Sequence, residues 1–176
     1  CIPDITKKNS DFLKNKFLDI DGGKFQSSNS EIIEKFNSIT GIYERRYAPD
    51  EINSSDLAAV AAGIAINDSK LDQETLDYII VAHNTGDISC SSGQVDTLPS
   101  VASKVKAKLK IKNPNCVAYD IICGCPGWVE GIIQAKSFIK SGMAKKCLVI
   151  GCDTLSRILD ENDSCLLYTS PSPRDT

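Results

Sequence analysis

The sequence lacks the features that would direct a chain to a membrane, a nucleic acid or the cell exterior. No segment approaches the roughly 18 consecutive apolar residues of a membrane-spanning helix, and no signal peptide is visible at the start. The net charge is only −3, with both signs mixed along the chain, so a basic footprint for nucleic acid is absent. What remains is 41% hydrophobic and 6% aromatic. This composition supports a core, and 176 residues suit one domain.

The eight cysteines lack the spaced, loop-rich pattern of secreted disulfide frameworks. Four of them, Cys116, Cys123, Cys147 and Cys152, lie in or beside apolar runs that predict strands. This placement predicts mostly buried thiols in a reducing cytoplasm. A metal or redox pair of Cys123 and Cys125 is an alternative. Its single intervening residue, however, is tighter than the two-to-four-residue spacing usual in structural zinc sites.

Apolar runs alternate with amphipathic segments along most of the chain. Buried strands are predicted for 78–82, for 147–151 and for the run that begins at Asn115, because continuous apolar runs suit parallel strands covered on both faces. Right-handed crossovers then place helices on the faces of the sheet. The sequence therefore predicts an α/β fold with a mostly parallel sheet. The predicted helices are 31–36, 55–68, about 98–110 and the segment behind Pro126.

The connecting segments are less regular. The polar start predicts no first strand, and Asp21–Gly23 predicts a tight turn. Ile42–Tyr47 predicts a loop or an edge strand, and His83–Leu98 predicts a long loop of the kind that is often functional. Side-chain caps are expected at Asn29 or Ser30 for the first helix and at Ser54 or Ser55 for the second.

One stretch, residues 115–131, combines an apolar strand, a break at Gly124 and a helical pattern behind Pro126. Cys125 is therefore predicted at a sharp strand-to-helix turn. Unpaired backbone N–H groups and the positive end of the helix dipole collect there, and both favour the nucleophilic thiolate. A buried, inert thiol is the alternative, and the spacing alone leaves both interpretations open.

This stretch also carries a resemblance. Asp120, Cys125 and Gly127, followed by an amphipathic helix, resemble the active-site segment of the 3-oxoacyl-acyl-carrier-protein synthase III (ketoacyl synthase III) family, which has the thiolase fold. The similarity extends in order from about the start to about residue 163. The other matching positions are Thr40–Ile42, Glu44–Arg46, Ser55–Ala58, Asp77–Ala82, Leu98–Ser100, Gly142, Lys145, Leu148–Gly151, Leu155–Ser156 and Asp160.

The resemblance implies a thiolase-like fold of which this chain is the N-terminal half, truncated. Residues 1–163 would form the thiolase-like N-terminal domain, incomplete at both ends. Residues 164–176 share no pattern with the rest and resemble translated adapter or vector sequence. A Ser/Pro-rich flexible terminus is the alternative for that tail.

The activity implied by the resemblance is that of an acyltransferase in fatty acid biosynthesis, a cytoplasmic homodimer without metal or other cofactor. Cys125 would take an acyl group from acyl-coenzyme A, and its backbone N–H would stabilise the developing oxyanion. Malonyl-acyl-carrier-protein would then lose carbon dioxide and condense with the acyl group. The family's His and Asn partners come from the missing half, so the chain alone is expected to be inactive. His83, the only histidine, is expected to be a surface or packing residue.

Three substrate-pocket residues follow from the same resemblance. Leu98 takes the position that reaches across the dimer into the partner's acyl pocket, with local packing as an equal alternative. Arg45 lies in a segment near the coenzyme A entrance, where a solvated charged loop is the alternative. Trp128 adds bulk that alters the acyl pocket.

Some positions depart from the family pattern. The family often has residues that bind coenzyme A at three positions that are occupied here by Lys35, Ile39 and Ser164. The residues that bind coenzyme A are therefore unknown, and the acyl donor is either coenzyme A held differently or a carrier protein. A related thiolase-fold synthase, of the hydroxymethylglutaryl-coenzyme A type or for a specialised lipid or polyketide, would also acylate Cys125. A non-enzymatic interaction module or a partial gene product is the alternative from another class.

Overall fold

The computed structural model describes residues 1–18, 23 and 26–162. The chain divides into two units, of which one comprises Cys1 and Asp50–Thr154 and the other comprises Ile2–Pro49 and the segment from Leu155. The tight turn predicted at Asp21–Gly23 falls largely outside the described residues. So do the predicted boundary at 163 and the tail at 164–176. None of the described helices combines the length and the apolar character needed to cross a membrane.

The unit of Ile2–Pro49 and the segment from Leu155 contains strands β1 (Ile5–Lys8) and β2 (Glu44–Tyr47), paired antiparallel. Because β1 forms, the prediction of no first strand is wrong, whereas the edge-strand alternative for 42–47 is confirmed. Helix α1 (Asn29–Thr40) is capped by Ser28, one residue before the predicted candidates, and ends at Gly41 in the left-handed conformation. Its buried face joins a small aromatic core of Phe12, Phe17, Ile32 and Phe36.

The unit of Asp50–Thr154 alternates helices and strands as predicted. Its three longer strands form a parallel sheet in the order β6 (Val117–Ile122), β3 (Tyr78–His83) and β7 (Cys147–Gly151), with Tyr78 level with Val117 and Cys147. The predicted long loop contains a short antiparallel hairpin of β4 (Asp87–Ile88) and β5 (Val95–Asp96). In chain order the elements are α2 (Ser54–Ser69), β3 (Tyr78–His83), β4 (Asp87–Ile88), β5 (Val95–Asp96), α3 (Val101–Lys108), β6 (Val117–Ile122), α4 (Gly127–Lys140) and β7 (Cys147–Gly151).

Helices cover both faces of this sheet, and the alternation of side chains along each strand decides which face each residue serves. Ile79 and Val81 of β3 are fully buried against α2 and α3. Ile80 and Ala82 face α4 instead, since they contact its glycines. His83, in phase with Val81, therefore points toward α2 and α3, on the face of the sheet opposite to α4.

Helix α4 approaches the sheet closely because glycines line its inner side. A Cβ added to Gly131 would lie 2.7 Å from Cγ1 of Val149, and one added to Gly127 would lie 3.1 Å from the Cβ of Ala82. The outer side of the same helix is apolar but exposed, and its exposed fractions run from 41% to 52%. These outer residues are Trp128, Val129, Ile132, Ile133 and Ile139.

Candidate active site

The carboxyl ends of β3, β6 and β7 meet at one edge of the parallel sheet, where ligands of open α/β sheets usually bind. The register places His83 beside Ile122 and Ala82 beside Gly151. The segments that follow these residues, 84–86, 123–126 and 152–154, consequently lie at this edge. Cys125 belongs to the middle segment, so the predicted nucleophile lies where the topology favours a site.

Cys125 lies on a tight turn between β6 and α4. Gly124 adopts a left-handed backbone with φ of +65°, and the Gly127 N–H donates to the Gly124 carbonyl oxygen over 3.0 Å. The Cys125 side chain is exposed, two residues before the first residue of the 14-residue helix. Pro126 is the N-cap residue of this helix, whose first residue is Gly127. Among the described residues, no oxygen accepts a hydrogen bond from the Cys125 N–H, so this donor is available to a bound group.

His83 and Asp120 form a buried pair on the other face of the sheet. Nε2 of His83 lies 2.9 Å from Oδ2 of Asp120, whose two oxygens also accept the N–H groups of Val101 and Ala102 at 2.7 and 2.8 Å. Burial raises the pKa of Asp120, but these hydrogen bonds outweigh it and hold the pKa below its ordinary value. The carboxylate thus holds the first turn of α3. The buried Nδ1 of His83 has no hydrogen-bond partner in the described part of the chain.

This geometry agrees with the expectation that His83 is a packing residue. Its side chain is 4% exposed and points away from the face that carries α4. Since Cys125 lies on the turn before α4 and is exposed, the two side chains face different environments. No hydrogen bond joins His83 to Cys125 within the residues that the structure describes.

A second polar pair at this edge was missed by the sequence analysis. Asn84 donates its backbone N–H to Oδ1 of Asp153 over 2.9 Å and its side-chain amide to Oδ2 over 2.6 Å. Burial raises the pKa of Asp153, and the two hydrogen bonds from Asn84 oppose that rise. Asn84 also lies beside the nucleophile turn, because a Cβ added to Gly124 would lie 3.6 Å from Oδ1 of Asn84.

Two of the three predicted pocket residues belong to the same unit as Cys125. Trp128 is half-exposed in the first turn of α4 and packs beside Gly151, where an added Cβ would lie 3.3 Å from the Cβ of Trp128. Leu98 is 81% exposed, so the local-packing alternative has no support. The hairpin before Leu98 is tied to α3, because Lys104 donates to Asp87 and Asp96 over 3.0 and 2.7 Å. A pocket role for either residue stays a prediction.

Arg45 lies in the other unit and is buried rather than part of a solvated loop. Its guanidinium donates to Oδ1 of Asn9 over 2.9 Å and lies over the rings of Phe12 and Phe36. Burial lowers its pKa. These contacts give Arg45 a structural role, and its place at a substrate entrance stays a prediction.

The remaining cysteines differ in exposure. Of the seven described cysteines, Cys116 alone is buried, Cys147 and Cys152 are partly buried, and the other four are exposed, so the prediction of mostly buried thiols is wrong. Burial raises the pKa of Cys116 and Cys147, and raises that of Cys152 to about 12. None of the seven described cysteines forms a disulfide. No group of three or more potential ligands could hold a metal ion within residues 1–18, 23 and 26–162.

Comparisons with known proteins address the resemblance directly. The family model of 3-oxoacyl-[acyl-carrier-protein] synthase III matches residues 119–169, which include the turn of Cys125. The beta-ketoacyl-[acyl-carrier-protein] synthase III of Neisseria gonorrhoeae is 44% identical over 131 residues, covering 73% of this chain and 38% of that protein. The synthase III of Ehrlichia ruminantium is 40% identical over the same length and coverage.

These matches confirm the resemblance to the 3-oxoacyl-[acyl-carrier-protein] synthase III family. The solved structure of beta-ketoacyl-[acyl-carrier-protein] synthase III from Thermus thermophilus superposes with a TM-score of 0.75 at 29% identity, over 98% of this chain and 46% of that one. The 3-oxoacyl-[acyl-carrier-protein] synthase III of Aquifex aeolicus gives a TM-score of 0.71 at 33% identity, over 92% and 45%. The predicted thiolase-like α/β fold is therefore confirmed. The chain spans 38% of the length of the curated relatives that it matches.

Proposed function

We propose that the complete protein to which this chain belongs is a condensing enzyme of the synthase III type, an acyltransferase in fatty acid biosynthesis. The observation that carries the proposal is the exposed Cys125 thiol on the β6–α4 turn, inside the segment that matches the family model. The partly buried thiols of Cys147 and Cys152 have pKa values raised by burial, which makes them poorer nucleophiles at neutral pH.

In the first half-reaction, the Cys125 sulfur attacks the carbonyl carbon of an acyl-coenzyme A thioester. A sulfur–carbon bond forms at Cys125, the bond to the coenzyme A sulfur breaks, and the cysteine proton is transferred to the departing thiol. The Cys125 N–H has no acceptor among the described residues, which supports its assignment as a donor to the oxyanion. One thioester replaces another, so the step requires little driving force.

In the second half-reaction, malonyl-acyl-carrier-protein loses carbon dioxide. The electron pair of the broken carbon–carbon bond attacks the acyl carbon on Cys125, and the 3-oxoacyl product leaves as the Cys125 thiolate is regenerated. The groups that assist decarboxylation are the family's catalytic His and Asn, for which this sequence has no matching positions. The partners of the complete protein are therefore acyl-coenzyme A, acyl carrier protein and a second copy in a cytoplasmic homodimer, with no cofactor, nucleic acid or membrane.

The test uses the protein with its complete native reading frame. After incubation with acetyl-coenzyme A, peptide mapping by mass spectrometry should find an acetyl group on Cys125, and addition of malonyl-acyl-carrier-protein should convert it to a 3-oxoacyl product. Cys125→Ala should lower turnover by on the order of 10³-fold or more, because the covalent step is lost.

Cys123→Ala is the matched control, since it removes an exposed thiol two residues away and should leave turnover within about twofold. Acylation at Cys123 or Cys90 instead of Cys125 would refute the proposal. Acylation of Cys125 without condensation with the malonyl substrate would indicate a related thiolase-fold synthase with a different extender.

A further inference from the structure

The Asn84–Asp153 pair is built so that the amide of Asn84 can take only one orientation. The side-chain NH₂ and the backbone N–H of Asn84 both donate to the Asp153 carboxylate. With the amide nitrogen held by Asp153, Oδ1 must point away from the carboxylate. Asp153 lies two residues after the end of β7, and the intervening Cys152 N–H continues the ladder by donating to the Ala82 carbonyl oxygen over 3.0 Å. The pair thus joins the ends of two neighbouring strands.

Oδ1 of Asn84 lies beside the nucleophile turn. A Cβ added to Gly124 would meet Oδ1 of Asn84 at 3.6 Å and Cδ of Pro126 at 4.0 Å, so the amide and the proline ring bound the space beside Gly124. Gly124 has the left-handed backbone that sets the direction of the next residue, Cys125. The position of the Asn84 amide therefore limits the room in which Gly124, and with it the Cys125 sulfur, can move.

Position 84 also requires the chemistry of an amide. Aspartate has the same shape, but it would bring a second carboxylate to the 2.6 Å contact with Asp153 and a charge to the turn. Alanine would remove both the donor and the oxygen that lies beside Gly124. The other polar pair at this edge, His83 and Asp120, lies on the opposite face, so it does not duplicate this support.

We propose that Asn84, oriented by Asp153, is a positioning residue that fixes the Gly124 turn and thereby the place of the Cys125 thiol. The inference rests on the proposed function, because it assigns Asn84 to the same nucleophile. Displacement of a nucleophile by about 1 Å can cost on the order of 10²-fold in rate. The effect should consequently appear in the rate of acylation and much less in substrate binding.

The experiment compares Asn84→Ala, Asn84→Asp and the control Asn115→Ala in the complete protein. Asn115 is an exposed amide at the opposite end of β6. The probe is iodoacetamide at limiting concentration from pH 5 to 9, with alkylation of Cys125 measured by mass spectrometry relative to exposed Cys90 in the same molecule. Turnover with acetyl-coenzyme A gives kcat and KM separately.

We expect Asn84→Ala to lower kcat by about tenfold while KM changes by less than about threefold. Asn84→Asp should move the pH profile of Cys125 alkylation upward, because a carboxylate beside the turn disfavours the thiolate, while the Cys90 profile stays in place. The double variant Asn84→Asp with Asp153→Asn restores one hydrogen bond with its direction reversed, because the amide at position 153 now donates to the carboxylate at position 84. It should recover the melting temperature lost in Asn84→Asp but keep the shifted profile.

A purely structural role would overturn the inference. In that case the variants would lower the melting temperature while Cys125 alkylation, its pH profile and the kcat per folded molecule matched wild type. The proposed function fails separately, when wild-type protein is not acylated at Cys125 by acetyl-coenzyme A. The alkylation profiles then still decide whether Asn84 positions the thiol.

Discussion

Asp120 and Asp153 are both carboxylates at the carboxyl edge of the sheet, yet their surroundings drive their pKa values apart. Asp120 is partly buried but accepts three hydrogen bonds, and these hold its pKa low. Asp153 is also partly buried, and the hydrogen bonds from Asn84 do not offset the rise in pKa that burial causes. The ionised carboxylate of Asp120 therefore stabilises the start of α3, whereas the carboxyl group of Asp153 holds Asn84 beside the turn that carries Cys125.

The lowered pKa of Asp120 predicts a pH dependence of stability. A carboxyl whose pKa is lower in the folded state than in the unfolded state, where it is about 3.9, stabilises the fold above that value. This contribution is lost as the pH falls through the folded-state pKa. Asp120→Asn should lower the free energy of unfolding by about 1–2 kcal/mol at pH 7, since a charge-assisted hydrogen bond is weakened. The deficit should shrink toward pH 3.

Urea unfolding of the complete protein between pH 7 and pH 3 checks this. Asp68→Asn, at an exposed position near the end of α2, is the control and should change stability by no more than about 0.5 kcal/mol. A constant difference between wild type and Asp120→Asn over the whole range would contradict the prediction.

At the residue scale, the sequence predicted features that depend on residues close together in the chain. Cys125 was predicted at a strand-to-helix turn from the strand, the glycine and the helical pattern within the 17 residues 115–131. Its role as a nucleophile came from the family resemblance and stays a prediction. The partnership of Asn84 with Asp153 has a sequence separation of 69 residues, and each is an ordinary polar residue after a strand. Only the register of β3 and β7 brings them together, so no local pattern could have indicated the pair.

At the scale of elements, the position of α4 depends on the two glycines on its inner side. Because Val149 is β-branched and its side chain has little rotational freedom, the methyl that Gly131→Ala adds at 2.7 Å cannot be accommodated easily. We expect overpacking to outweigh the gain in helix propensity of about 1 kcal/mol, so that unfolding becomes easier by about 1 kcal/mol net.

Gly63→Ala in α2 is the matched control. Its added Cβ would meet only Cδ2 of Leu109 at 3.8 Å, an ordinary contact, so the change should stabilise the protein by up to about 1 kcal/mol. Chemical denaturation of both variants in the complete protein measures the two effects. Equal stabilisation by the two substitutions would show that α4 is not seated as closely as described.

The longer helices and strands were predicted because their apolar periodicity persists over many residues. Several of the residues at which they begin and end were not predicted correctly. Ser28 and Asn53 cap α1 and α2, each one residue before the predicted candidates. Runs of adjacent polar residues offer several chemically equivalent caps, and tertiary packing selects one of them. The two-residue strands of the β4–β5 hairpin and the four-residue β1 are too short to leave a periodic pattern.

At the scale of the whole molecule, the main feature is apolar surface without cover in the described residues. Trp128, Ile132 and Ile133 on α4 are each 41% to 50% exposed, and Ile122 of β6 is 71% exposed. A groove of about 390 Å³ lies further along α4, lined by Ile132, Ala135, Lys136, Ile139, Lys140, Cys147 and Val149. Patches of this kind usually mark surfaces that another part of a protein covers.

We therefore predict that residues 1–176 alone unfold without a sharp cooperative transition, while the complete protein melts in one. The chain spans 38% of its curated relatives, and the uncovered face of α4 would pack on the remainder. Differential scanning calorimetry and binding of an apolar dye distinguish the two forms. A sharp melt of the isolated chain with little dye binding would contradict the prediction.

The resemblance predicted the fold class because an ordered set of short matches is specific even when each match is weak. It could not predict the surroundings of Arg45, since the charge of that residue indicated an exposed loop. The aromatic rings that bury it come from separate stretches of the chain, around Phe12 and Phe36. Packing of that kind is decided by tertiary structure and not by neighbouring residues in sequence.

The close seat of α4 limits which of its positions can vary. With bare backbone at Gly127 and Gly131 against the strands, the helix has one permitted height above the sheet, and the sulfur of Cys125 inherits that height. Under the proposed function, divergence in acyl-chain preference would therefore have to leave both glycines in place. A saturation library of the helix in the complete protein should eliminate almost every replacement at them.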